Sequence, residues 1–324
     1  MTWRLRGPAV ALALLGALVT ACSTASPGRS GAGPAAAASS VQAAAPRPAA
    51  PSPPAGPSSA VTPAVAPVHM SLLEGDGGVY GIGMPIIAFF DRAPTERTVF
   101  EHTTTVTVNG QPAAGTWYWE RSAHPGAVVE AHYRLPDYWP AHAHIVLNAA
   151  IKDLSAGPGL AYADNVYLAM ATGAAHISTV DNTTHQMTVR SDGVVIATLP
   201  VSLGAGDHPT FTGVKVVMER DRFEEMKSTP GEPFYDVMVP WSVRLTNSGE
   251  FAHDASWNRN IGDVNTSHGC TNLRPGDAQW FYDFSQIGDV LTYPNATGPT
   301  MPVWDGYGDW NVPWTVWSAG GVPA

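Results

Sequence analysis

The sequence predicts a mainly β protein built from two folded units, and three observations carry that prediction. Short Val-, Ile- and Thr-rich runs recur between Gly- and Pro-containing turns, the pattern of strands. Apolar stretches with helical period are scarce. The chain has 324 residues and 44% hydrophobic content, too long for one small domain and apolar enough for real cores. The formal net charge is −10, with no Lys/Arg-dense run after the first few residues. Nucleic acid is recognised through a basic footprint, so the charge argues against nucleic-acid binding and for solubility.

Taken from the start, residues 1–22 carry Arg4 and Arg6, an apolar run from Ala9 to Val19, and then Thr20-Ala21-Cys22. A charged start, a short apolar core and small residues at a cleavage point make an export signal. The ending on Cys22 resembles a bacterial lipobox, which implies lipidation of Cys22 and an exported, membrane-anchored lipoprotein facing the cell wall. Residues 23–66 are almost wholly Ala, Pro, Ser and Gly, with no aromatic residue and no Leu or Ile. Such a composition cannot form a core, so disorder is expected. As a coil this linker spans roughly 35–40 Å, and as polyproline helix on the order of 130 Å.

The first folded unit is expected over 67–172. Strands are predicted at 86–90, 103–108, 115–119, 128–133, 142–148 and 165–170, separated by Asn109-Gly110, His124-Pro125-Gly126 and Gly157-Pro158-Gly159. That spacing predicts a small β-sandwich. No acid/base cluster is legible in this unit. Alternation on strand faces accounts for His132, His142 and His144 better than metal ligation does.

The second unit is expected over 173–298. Runs 185–190 and 194–203 flank Asp192-Gly193 and read as a β-hairpin. Strands follow at 214–218, 237–243, 249–253 and 290–293. A short helix is predicted at 278–287, capped by Asp277 and closed by Gly288. The tail, 299–324, carries Trp304, Trp310, Trp314 and Trp317. It is too apolar for a loose end and is expected to pack on the second unit.

The chemistry concentrates in Ser267-His268-Gly269-Cys270-Thr271-Asn272. Cys22 is accounted for by the export segment, so Cys270 is expected to be a free thiol. A thiol attacks as the thiolate and requires a base or an electropositive setting. His268 lies two residues away and His253 seventeen (270 − 253). Gly269 permits close backbone approach, and N–H groups beside a nucleophile can receive an oxyanion. Read as chemistry alone, a catalytic Cys–His pair and a buried structural Cys stand about level. Zinc held by His253, His268 and Cys270 is the weaker reading, because structural zinc wants four closely spaced ligands.

The segment from Ser267 to Asn272 resembles the signature of L,D-transpeptidases of the YkuD type. Phe251-Ala252-His253-Asp254-Ala255-Ser256-Trp257 matches the upstream His of that signature. The similarity continues through Asp277-Ala278-Gln279-Trp280-Phe281-Tyr282-Asp283 and Asp305-Gly306-Tyr307-Gly308-Asp309-Trp310-Asn311-Val312-Pro313-Trp314. The resemblance is to mycobacterial-type enzymes and implies an immunoglobulin-like module before the catalytic domain. It implies Cys270 as nucleophile and His253 as general base, the base oriented by the backbone carbonyl of Asp254. It implies oxyanion N–H groups from Gly269 and Cys270, and a pocket shaped by Ser267, His268, Asn272 and Trp257. Met226 and Tyr235 would match substrate-contacting lid residues. Asp254 departs from the Ser of the mycobacterial-type pattern, and its carboxylate could favour a protonated imidazole.

The implied reaction is acyl transfer on peptidoglycan stem peptides with no metal or cofactor. Cys270 attacks the third residue of a donor tetrapeptide, D-Ala leaves, and an acceptor amine resolves the thioester as a 3→3 cross-link. Carbapenem β-lactams are the implied covalent inhibitors. Hydrolysis as an L,D-carboxypeptidase, attachment of a protein to the wall, and a non-catalytic wall-binding lipoprotein are the competing readings.

Overall fold

The structure, a computed structural model, describes residues 64–228 and 236–321. The export segment with Cys22, the linker up to residue 63, and Tyr235 lie outside the described residues.

Two sheets of the first unit enclose one core. One runs in the order Met70–Leu72, Ile86–Phe90, Val129–Arg134, Thr116–Arg121. The other runs in the order Val79–Tyr80, Val166–Thr172, His144–Ala149, Thr104–Val108, Gln111–Pro112. Alternate residues of each strand point inward, so Phe90, Trp119 and Ala131 from the first sheet meet Val106, Leu147 and Leu168 from the second. A third sheet joins Ala66–Val68, Leu160–Tyr162 and Ser155–Gly157. The helix Arg97–Thr103 is absent from the sequence reading, which began a strand at 103. It has no side-chain N-cap; Phe100, fully buried against Trp117 at 4.8 Å and Phe90 at 5.3 Å, holds it. Tertiary packing outweighs a weak local propensity there.

Ile86–Phe90 is buried on both faces. Ile86, Ala88 and Phe90 enter the sandwich core, whereas Ile87 and Phe89 join Val216 and Tyr307 of the second unit. The two units therefore share an apolar seam. Backbones also meet there: Gly81 N–H donates to Ile287 O at 2.8 Å and Gly83 N–H to Gly288 O at 2.9 Å. A Cβ on Gly81 would stand 2.2 Å from the Asp289 nitrogen, so only glycine allows this approach.

The second unit holds a five-stranded sheet in the order Val194–Pro200, Gln186–Ser191, His176–Asp181, Val290–Tyr293, Gly213–Val216. A four-stranded sheet runs Glu219–Lys227, Asp236–Arg244, Phe251–Asp254, Thr271–Leu273. The helix spans Pro275–Phe284 with Arg274 as N-cap, so it starts and ends earlier than the sequence reading placed it. Pro275 presets the first helical position. Asp277 sits within the first turn, where it favours the helix dipole instead of capping.

The tail differs from the expectation that it packs on the second unit alone. Asn311 does bond there, accepting from Val214 N–H at 2.7 Å and donating to Val214 O at 2.8 Å. Trp317, fully buried, instead stacks on Tyr118 of the sandwich at 4.8 Å and donates to Thr116 O at 3.1 Å. Arg134 of the sandwich lies 4.4 Å over the same indole. The tail clamps the two units.

An acid/base cluster, illegible in the sequence, is present in the sandwich. His132 bonds Asp309 of the tail at 2.9 Å and Glu130 at 3.2 Å, with Glu120 at 3.5 Å. Glu120 and Glu130 pair directly across adjacent strands. The partner 177 residues away cannot be read from strand alternation.

Candidate active site

Strand pairing assembles the site. Phe251–Asp254 runs parallel to Thr271–Leu273, with Ala252 opposite Thr271 and His253 opposite Asn272. Ala252 and Leu273 are both fully buried in the second core and fix that register. Cys270 immediately precedes the second strand, which brings it beside His253 across seventeen residues (270 − 253).

The loop before Cys270 is braced from within. Gly269 has φ +113°, a region that side-chain-bearing residues rarely adopt. Its carbonyl accepts from Thr210 Oγ1–H at 2.7 Å, and Thr210 Oγ1 accepts from Gly204 N–H at 2.8 Å. Ser267 Oγ–H donates to Cys270 O at 2.6 Å and Ser267 Oγ accepts from Gly269 N–H at 3.2 Å. The resemblance implies oxyanion N–H groups from Gly269 and Cys270. In this state the Gly269 N–H is engaged by Ser267, while the Cys270 N–H has no acceptor among the described residues.

Nδ1 of His253 lies 2.7 Å from Asp254 O. A carbonyl only accepts, so Nδ1 carries the hydrogen and Nε2 of the neutral ring is the basic nitrogen. Burial lowers the His253 pKa, with the Asp254 carbonyl opposing. Burial also pushes the Cys270 thiol up to about 12, opposed by the Phe251 N–H. At neutral pH the pair is thus thiol and neutral imidazole, not a thiolate–imidazolium pair. The thiol points at Gly249 O, 3.7 Å away. The Asp254 carboxylate accepts from Ser256 N–H at 2.7 Å and so shapes the following turn.

Cys270 and His253 open into one cavity of about 340 Å³. Trp257, Ser267, His268 and Asn272 form further walls, and the hairpin of Glu219–Lys227 and Asp236–Arg244 adds Met226, Val237 and Val239. Trp257 stacks near the His253 ring at 6.0 Å, and His268 lies 4.7 Å from the His208 ring. The structure therefore gathers Met226, His253, Trp257, Ser267, His268, Cys270 and Asn272. Asp254 and Gly269 support the site from behind.

Near Cys270 lies an ion pair that the sequence reading missed. Lys215, fully buried, bonds Glu250 and sits 3.8 Å over the Tyr293 ring. Glu250 also accepts from Phe211 N–H at 2.7 Å. Burial lowers Lys215 and raises Glu250, and each one's attraction for the other opposes the shift. On Cys270 their fields oppose one another, Glu250 raising the thiol pKa and Lys215 lowering it. The available signal was a lone Lys in the apolar run Gly213-Val214-Lys215-Val216-Val217, a placement that requires a buried partner.

Comparison with known proteins agrees with this geometry. Residues 175–303 match the L,D-transpeptidase catalytic domain and residues 58–155 the bacterial Ig domain. L,D-transpeptidase 2 of Mycobacterium tuberculosis is 34% identical over 80% of this chain, and the match covers 64% of that protein. The chain thus spans less than two thirds of that relative's length. L,D-transpeptidase 1 of the same organism is 30% identical, over 72% of this chain and 88% of its own. The solved structure of the L,D-transpeptidase LdtMt1 in complex with imipenem superposes with a TM-score of 0.57 at 26% identity, covering 71% of this chain and 99% of that one. With its immunoglobulin-like sandwich, its Cys–His cavity and these relatives, the chain belongs to the YkuD L,D-transpeptidase family.

Proposed function

We propose that the chain is a peptidoglycan L,D-transpeptidase that forms 3→3 cross-links through a thioester on Cys270. The observation that carries this reading is the Nδ1–H bond of His253 to the Asp254 carbonyl, which leaves Nε2 as a base in the cavity shared with the only thiol of the catalytic unit. As Sγ attacks the carbonyl of the third stem residue, Nε2 takes its proton, so the charged pair exists only along the reaction path. The Cys270 N–H receives the developing oxyanion, and Gly269 N–H joins it if Ser267 gives way. D-Ala leaves with the proton from His253. An acceptor amine then attacks the thioester; His253 takes the amine's proton and passes it to Sγ as the C–S bond breaks, which restores the thiol and the neutral imidazole. No metal or cofactor enters this sequence. The imipenem complex of the relative supports carbapenems as covalent inhibitors, since a strained β-lactam carbonyl can enter the same geometry.

The amino-terminal motif supports export, lipidation at Cys22 and a membrane-anchored position facing the wall. Cys22→Ala is expected to move the protein from the membrane fraction to the soluble fraction or to leave an uncleaved precursor. Unchanged membrane retention with normal processing contradicts the anchor.

Incubation with donor tetrapeptide and intact-protein mass spectrometry tests the reaction. The expected result is a thioester adduct with release of D-Ala and, when a peptide amine is added, a cross-linked product. Release of D-Ala with only hydrolysed donor makes the chain a carboxypeptidase instead. No adduct and no release from folded protein favours a non-catalytic wall-binding role.

A further inference from the structure

A second site lies in the sandwich, away from Cys270. Glu120 and Glu130 are direct cross-strand neighbours, and His132 lies on the same face two residues along from Glu130. Like charges placed directly opposite one another destabilise a sheet, so this arrangement requires something positive between them. Nε2 of His132 is 3.2 Å from Glu130 Oε1 and 3.5 Å from Glu120 Oε1. Ligand atoms about 2.0–2.1 Å from a tetrahedral zinc-type ion stand roughly 3.3–3.4 Å from each other, and the two separations bracket that value. Asp309, fully buried, takes the other ring nitrogen, Nδ1, at 2.9 Å. A carboxylate on Nδ1 fixes the tautomer that presents Nε2 to a metal.

Two further observations point to a missing ligand. Among the described residues neither oxygen of Glu120, whose side chain is only 10% exposed, has a hydrogen-bond partner, the nearest polar contact being the 3.5 Å approach of Oε1 to His132 Nε2, and Oδ2 of Asp309 likewise has none. Unpartnered buried carboxylate oxygens are strongly disfavoured unless an ion satisfies them. There is also an entry path. Glu130 and His132 line a groove of about 700 Å³ between the sandwich and the second unit. We propose that Glu120, Glu130 and His132 bind one divalent cation of the zinc type, with Asp309 as the positioning residue behind His132. One nitrogen and two carboxylate oxygens suit such borderline ions, and the groove leaves a fourth position for water. Because Asp309 belongs to the tail, the ion would fasten the tail to the sandwich; its role is structural and separate from the proposed thiol chemistry.

The rival occupant is a proton. Burial alone disfavours the imidazolium, but Asp309, Glu130 and Glu120 outweigh it and lift His132 well above its ordinary value. The two readings separate in a metal-binding experiment on the full chain carrying Cys270→Ala, which removes the active-site thiol as a competing ligand. The chain is treated with chelator, dialysed against Zn²⁺ and analysed for metal, with Co²⁺ absorption as the ligand-sensitive probe. The expected result is one equivalent of tightly held Zn²⁺ and a Co²⁺ spectrum of nitrogen and oxygen ligands. Glu120→Gln and Glu130→Gln should each weaken binding at least tenfold, and Asp309→Asn by about 10–100-fold. Zn²⁺ should raise the Tm of the parent chain and not that of Glu130→Gln, whose side chain sits at the groove wall. No stoichiometric uptake by the folded parent chain, or uptake that Glu120→Gln and Glu130→Gln leave unchanged, overturns the site and leaves the proton as its occupant. If the substituted chains fail to fold, uptake by the parent decides between the two.

Discussion

At the scale of single residues, the resting site holds an uncharged thiol and an uncharged imidazole, and this fixes a pH signature. In the proposed mechanism His253 acts as a base when deprotonated, and burial lowers its pKa below the ordinary 6.5. Acylation by a carbapenem should therefore fall as pH drops through that lowered value and stay level from pH ~7 to ~9. A rising limb near pH ~8.5, where a free cysteine ionises, would show instead that pre-formed thiolate is the reactive species. His253→Ala should slow acylation by about 100-fold or more. Asp254→Ser should stay within about tenfold of the parent, because His253 uses the backbone carbonyl of residue 254 and the carboxylate serves Ser256; stopped-flow acylation measures both. The signature around Cys270 pointed to residues that strand pairing does bring to one cavity. Lys215 and Glu250 were not legible as a pair, because 35 residues separate them and only the fold sets them together.

At the scale of elements, strands with one buried face were readable from alternation, as in His144–Ala149 and Gln186–Ser191. The strand Glu219–Lys227 was not. Its sequence Glu-Arg-Asp-Arg-Phe-Glu-Glu-Met-Lys is charged and largely exposed along its length, so no apolar period marks it, yet it brings Met226 to the cavity. Ile86–Phe90 also has an unusual supporting group: both oxygens of Glu74 lie 3.2 Å from Ile87 N–H. Burial raises the Glu74 pKa from its ordinary 4.5 to about 8, with the backbone bonds opposing. The folded chain then keeps a proton that the unfolded chain gives up. Glu74 should thus lower stability progressively as pH rises from about 4.5 to about 8, with no further loss above. Thermal unfolding across that range should show a flatter pH dependence in Glu74→Gln than in the parent; equal slopes would locate the titration elsewhere.

At the scale of the whole molecule, the sandwich and the catalytic unit are joined by backbone contact at Gly81, an apolar seam at Ile87 and Phe89, and the tail through Trp317. Composition and turn spacing made two β units readable, but not their joint, because Ile86–Phe90 reads as one apolar run whichever partner covers its second face. Gly81→Val tests the joint. The new side chain would meet the backbone of Asp289 and should lower stability by about 1–3 kcal/mol, seen as a lower Tm or a split transition; an unchanged melting curve would mean that the seam contributes little. The central claim is that Cys270, activated by His253, is the nucleophile, and covalent labelling by imipenem tests it most directly. Intact mass followed by peptide mapping should show a single adduct on the peptide that contains Cys270, slowed in His253→Ala and absent in Cys270→Ala. Labelling at another residue, or an adduct that persists in Cys270→Ala, would contradict it.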